Sequence, residues 1–175
     1  MHLKNSFNYC PKCGNSTIKY NSSENFIQCD YCGFQLFINA AAAVAAIIID
    51  NKGRILFTKR AHNPAKEMLD LPGGFVDVNE SAEDALHREI KEELNIELES
   101  VEYFTTHPNQ YTYNDLTYFT LDITYICKAK SFKNLTALDD ISDYTFLKPE
   151  EVNIAEIGLH SIKKIVEKFL LSSCF

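Results

Sequence analysis

Four of the six cysteines in this sequence have the spacing of metal ligands. They form two C-x-x-C pairs separated by fifteen residues, and a glycine follows each pair. In such a knuckle both sulfurs can face one ion, and the glycine permits the tight turn. Four thiolates suit tetrahedral zinc, so the sequence predicts one Zn²⁺ site formed by Cys10, Cys13, Cys29 and Cys32.

The alternatives for these pairs are two disulfides or a redox-active dithiol. No apolar signal-peptide core follows Met1, which favours a cytoplasmic location, where disulfides are rare. A thioredoxin-like pair would need a βαβ context that this segment lacks. We therefore expect the zinc to be structural, because four thiolates leave no open coordination position.

A stripe of glutamates is the second candidate group. Apolar spacing predicts a helix over Ser81–Leu94, and at about 100° per residue Glu89, Glu92 and Glu93 fall within one arc of about 100°. Like charges at these spacings repel, so the stripe needs a reason. Mg²⁺ supplies one, because it takes hard oxygen ligands and commonly bridges to substrate phosphates. The alternative is a solvated acidic face.

The surroundings of the stripe favour the metal. Leu71–Gly74 ends in two glycines, which let backbone approach an ion or a phosphate with no side chain in the way. Leu86, Ile90 and Leu94 fall on a neighbouring arc of the helix and are expected to face the core.

Loop and helix together resemble the Nudix box, G-x5-E-x7-R-E-U-x-E-E-x-G-U, where U is a bulky apolar residue. The match starts at Gly74, includes Glu80 and continues over Arg88–Ile96. One position departs, because Asn95 stands where the family has glycine. After glycine, asparagine is the residue best suited to a left-handed helix cap, so we expect the same backbone turn.

The resemblance implies an α/β fold, with a Nudix α/β/α sandwich over residues 39–175 behind a small zinc ribbon over residues 1–38. It also implies hydrolysis of a nucleoside diphosphate linked to another moiety, with a small nucleotide as the substrate. Homodimer formation is compatible with it, because many relatives are dimers. A non-catalytic ligand sensor and a zinc-ribbon interaction module are the competing classes. Loss of the box glutamates would mark a sensor, and here all are present.

Carried over by position, the resemblance assigns roles to single residues. Mg²⁺ or Mn²⁺ would be bound by Glu89, Glu92 and Glu93, helped by the Gly73 carbonyl. Arg88 would orient these carboxylates by ion pairing, and Glu80 would be structural. Asp140 best matches the place of an extra acidic residue, with a solvated loop as the alternative. The base that takes the proton of the attacking water could be Glu89 or a carboxylate of this later loop.

A zinc ribbon ahead of a Nudix domain resembles the NADH pyrophosphatase branch, whose members cleave NAD(H) or NAD-capped RNA to a mononucleotide and AMP. The further signature of that branch, S-Q-P-W-P-F-P, is missing, because the chain has no Trp and has THPNQYTY over 106–113. ADP-ribose or another nucleoside diphosphate derivative is therefore equally compatible. Tyr111, Tyr113 and Tyr118 could stack on a base or pack within a hairpin. Arg60 could reach a phosphate or simply end a strand.

Alternating strands and helices must position these residues. Outside the ribbon the pattern predicts strands at Ala41–Ile49, Arg54–Lys59, Ile96–Thr105, Leu116–Lys128 and Tyr144–Leu147. It also predicts a turn over Tyr111–Asp115, a loop over Leu135–Asp143 and an amphipathic helix over Ile157–Leu171.

The net charge and the lengths of the apolar runs argue against two classes of partner, nucleic acids and membranes. The 17 basic and 24 acidic residues give a net charge of −7. This weighs against nucleic acid, because phosphate neutralisation needs a basic surface. The longest apolar run, Ala40–Ile49, has ten residues. A membrane helix needs about 20, so we expect no membrane partner.

Overall fold

The computed structural model of the chain describes residues 6–113 and 116–172. Contacts between residues divide the chain into two compact units. The first comprises Met1–Ala41 and Gln110–Phe119, and the second comprises Ala42–Asn109 and Thr120–Phe175.

The first unit contains a small antiparallel sheet. Its strands are β1 (Ile18–Asn21), β2 (Phe26–Cys29) and β3 (Gln35–Phe37), with β2 in the centre. Phe26 and Ile27 of β2 are buried, and the Phe26 ring lies 5.2 Å from that of Phe37. An aromatic contact thus joins β2 to β3 within this small sheet.

The second unit is built on a six-stranded sheet with two helices. In chain order its elements are β4 (Ala41–Ile49), β5 (Ile55–Arg60), β6 (Leu69–Asp70), α1 (Ala82–Leu94), β7 (Leu98–Tyr113), β8 (Leu116–Ala129), β9 (Ile141–Leu147) and α2 (His160–Ser172). The strands follow the order β6-β5-β4-β8-β7, and β9 pairs with β5. Near their tips, β7 and β8 pass into the first unit.

Strand β4 is buried on both faces, which explains its run of small and β-branched residues. Val44, Ala46 and Ile48 pack in one apolar core with α1, and Ala45 and Ile47 pack in a second core with α2. The α1 side chains in the first core include Leu86, Ile90 and Leu94, as expected. The two cores therefore place one helix on each face of the sheet. Burial stabilises this packing, since each fully buried Leu or Ile contributes about 1.5–3 kcal/mol. The predicted α/β/α sandwich is confirmed.

Two strands extend beyond their predicted limits. β7 continues to Tyr113 through a polar stretch that includes Pro108, and it lies at the edge of the sheet, where proline is tolerated. β9 begins at Ile141, inside the predicted loop, because it pairs with β5 over its whole length. Of the predicted turn, positions 114 and 115 lie outside the described residues.

No helix in the described part of the chain is long and apolar enough to cross a membrane.

Candidate active site

Helix α1 is fixed at both ends by side chains with capping chemistry. The Ser81 hydroxyl accepts a hydrogen bond from the Asp84 N–H at 3.1 Å. Asn95 is the C-cap in the left-handed conformation, with φ 53° and ψ 33°, and its N–H donates to the Lys91 carbonyl at 3.0 Å. The backbone turn expected at Asn95 is therefore confirmed.

Arg88 lies beside the glutamate stripe and uses all five of its N–H donors. Nε and Nη2 donate to the two carboxylate oxygens of Glu80, both at 2.9 Å. Nη1 donates to Glu89 at 2.7 Å and to Glu92 at 3.1 Å, and Nη2 also donates to the Phe75 carbonyl at 2.9 Å. The Arg88 hydrogen bonds lower the pKa of Glu80, and the bond to Glu80 raises the pKa of Arg88. The guanidinium thus holds three carboxylates and has no donor left for a phosphate.

Glu93 is the buried member of the stripe, with 6% of its surface exposed. Its Oε2 accepts a hydrogen bond from the Gly73 N–H at 2.9 Å. Burial, joined by the charges of Glu89, Asp70 and Asp140, raises the pKa of Glu93 to about 8 from an ordinary value of 4.5. The ionised form of this carboxyl therefore needs a nearby cation.

Gly73 and Gly74 lie where a side chain would not fit. The Val44 N–H donates to the Gly74 carbonyl at 2.8 Å, which holds this loop along β4. Gly73 has a φ of +142°, and a Cβ there would stand 2.1 Å from the Val44 carbonyl oxygen. At Gly74 a Cβ would stand 2.5 Å from Cδ of Glu89. The two glycines therefore let the loop lie against β4 and against the Glu89 carboxylate.

The other two glutamates of the stripe differ in exposure. The side chain of Glu89 is 14% exposed and that of Glu92 is 50% exposed. Burial raises the pKa of Glu89, against the hydrogen bond from Arg88 that lowers it. From Glu92 to Glu93 the stripe thus passes from solvent to the interior.

The loop before β9 brings two aspartates to these carboxylates. The Leu138 N–H donates to the Glu93 carbonyl at 2.9 Å, which ties the loop to the last turn of α1. After burial, which acts most strongly on both glutamates, the charge of Asp139 raises the pKa of Glu89 and that of Asp140 raises the pKa of Glu93. Both aspartates therefore act electrostatically on the glutamate stripe, Asp140 on Glu93 and Asp139 on Glu89, although the sequence pointed only to Asp140.

Asp70 is a further buried carboxylate, and sequence reasoning missed it. It ends β6 with 6% of its surface exposed, and its Oδ2 accepts a hydrogen bond from Arg60 Nη1 at 2.7 Å. Burial raises the pKa of Asp70, although the charge of Arg60 opposes this. Of the two interpretations of Arg60, the structure favours the strand end, because its guanidinium is turned to Asp70 inside the fold. The only signal for Asp70 was its place just before the glycine loop.

The structure does not test whether the three tyrosines considered above stack on a base. Tyr111 and Tyr118 belong to the first unit, and the side chain of Tyr113 lies outside the described residues. Their stacking role stays a prediction.

In the first unit the four cysteine sulfurs converge on one point, all within 4.8 Å of one another. Two Sγ–Sγ distances are 3.7 Å, Cys10 to Cys32 and Cys13 to Cys29, and the thiols are free rather than joined in disulfides. Backbone N–H groups, first that of Cys32, lower the pKa of the Cys29 thiol to about 6. At Cys13 a backbone hydrogen bond from Asn15 acts in the same direction, but burial and the neighbouring thiols raise the pKa to about 12. Thiolates are the form that binds a metal.

Positive φ at the two knuckle glycines, 74° at Gly14 and 72° at Gly33, gives the tight turns expected from the sequence. Among the described residues, the cysteines are the one group of three or more His, Cys, Asp or Glu whose ligand atoms come this close together. The carboxylates of the second unit form a more open set.

Comparisons with known proteins relate this chain to one enzyme family. The model of the NUDIX domain family matches residues 39–169. The NAD-capped RNA hydrolase NudC of Haemophilus influenzae is 29% identical over 108 residues, which are 61% of this chain and 40% of that protein. The ADP-ribose pyrophosphatase of Methanocaldococcus jannaschii is 44% identical over 63 residues, 36% of this chain and 37% of that protein. The chain thus matches about two fifths of the length of these relatives.

Among solved structures, a NUDIX hydrolase from Nitrosomonas europaea has a TM-score of 0.76 at 18% identity, covering 95% of this chain and 92% of that one. A MutT NUDIX hydrolase from Burkholderia pseudomallei has a TM-score of 0.64 at 25% identity, covering 74% of this chain and 97% of that one. Because the family model covers most of the chain and the box geometry is intact, the chain belongs to the NUDIX domain family.

Proposed function

We propose that this protein hydrolyses the pyrophosphate bond of a nucleoside diphosphate linked to another moiety, of the NADH or ADP-ribose type, in a Mg²⁺-dependent reaction. The products would be AMP and a second phosphorylated compound. The observation that carries the proposal is the constellation of Glu89, Glu92 and Glu93 around Arg88 and the glycine loop. Support for the substrate class comes from the two relatives, which are a NAD-capped RNA hydrolase and an ADP-ribose pyrophosphatase.

The charges of the site fit a divalent cation. Glu89 and Glu93 lie near Asp139, Asp140 and Asp70, and burial raises the pKa of both glutamates. The single guanidinium on the stripe is fully occupied, so carboxylate charge exceeds the local positive charge. Mg²⁺ or Mn²⁺ held by Glu89, Glu92, Glu93 and the Gly73 carbonyl would restore the balance, since oxygen ligands suit these ions.

In this reaction each residue of the site would have a separate role. A bound divalent ion would supply charge stabilisation for the attacking and leaving oxygens. Arg88 holds Glu89 and Glu92 in place, and the Gly73 N–H holds Glu93. A carboxylate, Glu89 or Asp140, takes the proton of the attacking water. The water oxygen bonds to one phosphorus, the P–O bond of the bridge breaks, and its electrons leave with the second phosphate.

The cysteine cluster supports a second, structural metal site. We propose that Cys10, Cys13, Cys29 and Cys32 bind one Zn²⁺ that stabilises a ribbon over residues 1–38, and that residues 39–175 form the hydrolase domain. Four mutually close thiols satisfy a closed tetrahedral shell and leave no position for a substrate. Free thiols of this kind persist in a reducing compartment, so we propose a cytoplasmic location.

The substrate is found by incubating the zinc-loaded protein with Mg²⁺ and NADH, NAD⁺, ADP-ribose, FAD or nucleoside triphosphates, followed by chromatography of the products. We expect NADH or ADP-ribose to give two monophosphates. If a dinucleotide binds but none is cleaved with Mg²⁺ or Mn²⁺, the proposal is wrong and the ligand-sensor alternative replaces it.

A further inference from the structure

Arg60 contacts the loop between β5 and β6 and also the end of β6, from which the glycine loop continues. In the β5–β6 loop, the Pro64 carbonyl accepts a hydrogen bond from Arg60 Nε at 2.7 Å. At the end of β6, Arg60 Nη1 donates to Asp70, also at 2.7 Å. The side chains of Arg60 and Asp70 are 19% and 9% exposed, so this joint is largely desolvated.

Asp70 is also hydrogen-bonded to the backbone at the start of the glycine loop. Its Oδ1 accepts a hydrogen bond from the Leu71 N–H at 2.9 Å. Two residues later the Gly73 N–H donates to Glu93, and the next backbone position lies against Glu89. Hydrogen bonds and a short stretch of backbone therefore link Arg60 through Asp70 and Gly73 to Glu93.

The geometry of the joint requires a planar fork. A guanidinium can donate from Nε and Nη1 in two fixed directions, whereas an ammonium is one point charge on a flexible stem. Lysine at position 60 would keep the charge next to Asp70 and lose either that contact or the one to Pro64.

We propose that the Arg60–Asp70 pair is a positioning device that sets the Gly73–Gly74 loop against Glu89 and Glu93 and thereby sets the affinity of these carboxylates for a divalent cation. This inference rests on the proposed function only in that the carboxylates bind such an ion. Partners of this kind, which hold metal ligands without touching the metal, typically change metal affinity by about 10- to 100-fold when altered.

The turn between β4 and β5 offers a matched control. Just before β5, Arg54 Nε donates to Asp50 Oδ2 at 2.8 Å, and Asp50 Oδ1 accepts from the backbone N–H groups of Lys52 and Arg54. This pair closes the β4–β5 turn and has no bond to the glycine loop. Arg54→Lys and Asp50→Asn therefore disturb an Arg–Asp pair of similar chemistry in the same unit.

The test measures Mn²⁺ binding to the zinc-loaded protein, from the electron paramagnetic resonance signal of free Mn²⁺, together with thermal unfolding. Only Mn²⁺ binding that disappears in Glu93→Gln is compared, because it is the binding that depends on the carboxylates of α1. We expect Arg60→Lys and Asp70→Asn to weaken this binding by about tenfold or more, and the two control variants by less than about twofold. Asp70→Asn keeps the size of the side chain but removes a charge that acts on Glu93, so Arg60→Lys decides the inference, or Arg60→Gln if Arg60→Lys does not fold.

Equal Mn²⁺ affinity in Arg60→Lys, Asp70→Asn and the controls would overturn the inference and leave the proposed function standing. A loss of affinity that merely follows the loss of thermal stability across all four variants would also overturn it. Absence of a Glu93-dependent site in the natural protein would overturn both proposals. If the Arg60 and Asp70 variants bind Mn²⁺ more weakly than the controls but the natural protein hydrolyses no substrate, only the proposed function would be overturned.

Discussion

Replacing Glu93 by glutamine should stabilise the protein at neutral pH while no divalent ion is added. The folded-state pKa of Glu93, about 8, lies above its ordinary value of 4.5. The folded protein therefore binds this proton more tightly than the unfolded chain does. Stability from the protonated carboxyl is fully present below about pH 4.5 and is lost as the pH rises towards 8.

The size of the effect follows from the same two values. Each pH unit between them costs about 1.4 kcal/mol of unfolding free energy, so the natural protein loses about 3 kcal/mol by pH 7. Glutamine has the same shape, stays neutral and can still accept the Gly73 hydrogen bond through its amide oxygen. For a chain of this size, about 3 kcal/mol corresponds to a rise in melting temperature of about 6–12 °C.

Thermal unfolding at pH 5 and at pH 7.5 tests this expectation, in buffers freed of divalent ions on a chelating resin and with zinc left on the protein. At pH 5 the folded carboxyl is protonated and only about 1 kcal/mol has been lost, so Glu93→Gln should melt no more than about 2–4 °C above the natural protein. Glu92→Gln, on the exposed side of the same helix, is the control and should show no comparable gain at pH 7.5. Equal melting of Glu93→Gln and the natural protein at both pH values would refute the reasoning that burial raises the pKa of Glu93.

Four further outcomes are expected. Asn95→Ala should lower the unfolding free energy by about 1 kcal/mol in denaturant titrations, because alanine is strained in the left-handed cap, whereas Asn95→Gly should not. Gly74→Ala should remove Mg²⁺-dependent activity in a protein with normal circular dichroism, because its Cβ would collide with Glu89. Leu86→Ala should cost about 2–5 kcal/mol by the same titrations, since this side chain is fully buried. Cys29→Ser should lower the zinc content measured by mass spectrometry from about one ion per chain to near zero.

The elements with a strong periodic pattern were predictable from the sequence. Helix α1 combines a capping serine, an apolar stripe and a left-handed cap, and each of these signals is local. Strand β4 is apolar on both faces, so its burial follows from composition alone. The cysteine spacing likewise predicted a cluster that the fold brings together.

The remaining features depend on pairing between distant segments. β9 starts in the polar stretch at Ile141 because β5 supplies its hydrogen-bonding partners, and nothing in the stretch itself signals a strand. Asp70 and Asp139 act on the glutamates because β6 leads directly into the glycine loop and the loop before β9 is bonded to the last turn of α1. Arg60 illustrates the same point, since its sequence environment resembles that of any strand end and only the fold shows that it joins the β5–β6 loop to the end of β6.

We expect the glutamates of α1 to carry a Mg²⁺-dependent hydrolysis at phosphorus. The measurement to make is turnover of ADP-ribose and NADH with Mg²⁺ in ¹⁸O-labelled water, with the natural protein and Glu93→Gln side by side. The natural protein should release two monophosphates, one of which carries the label on its phosphate, and Glu93→Gln should be slower by about a hundred- to a thousandfold. Equal turnover by Glu93→Gln, or products that carry no label on phosphate, would contradict this expectation.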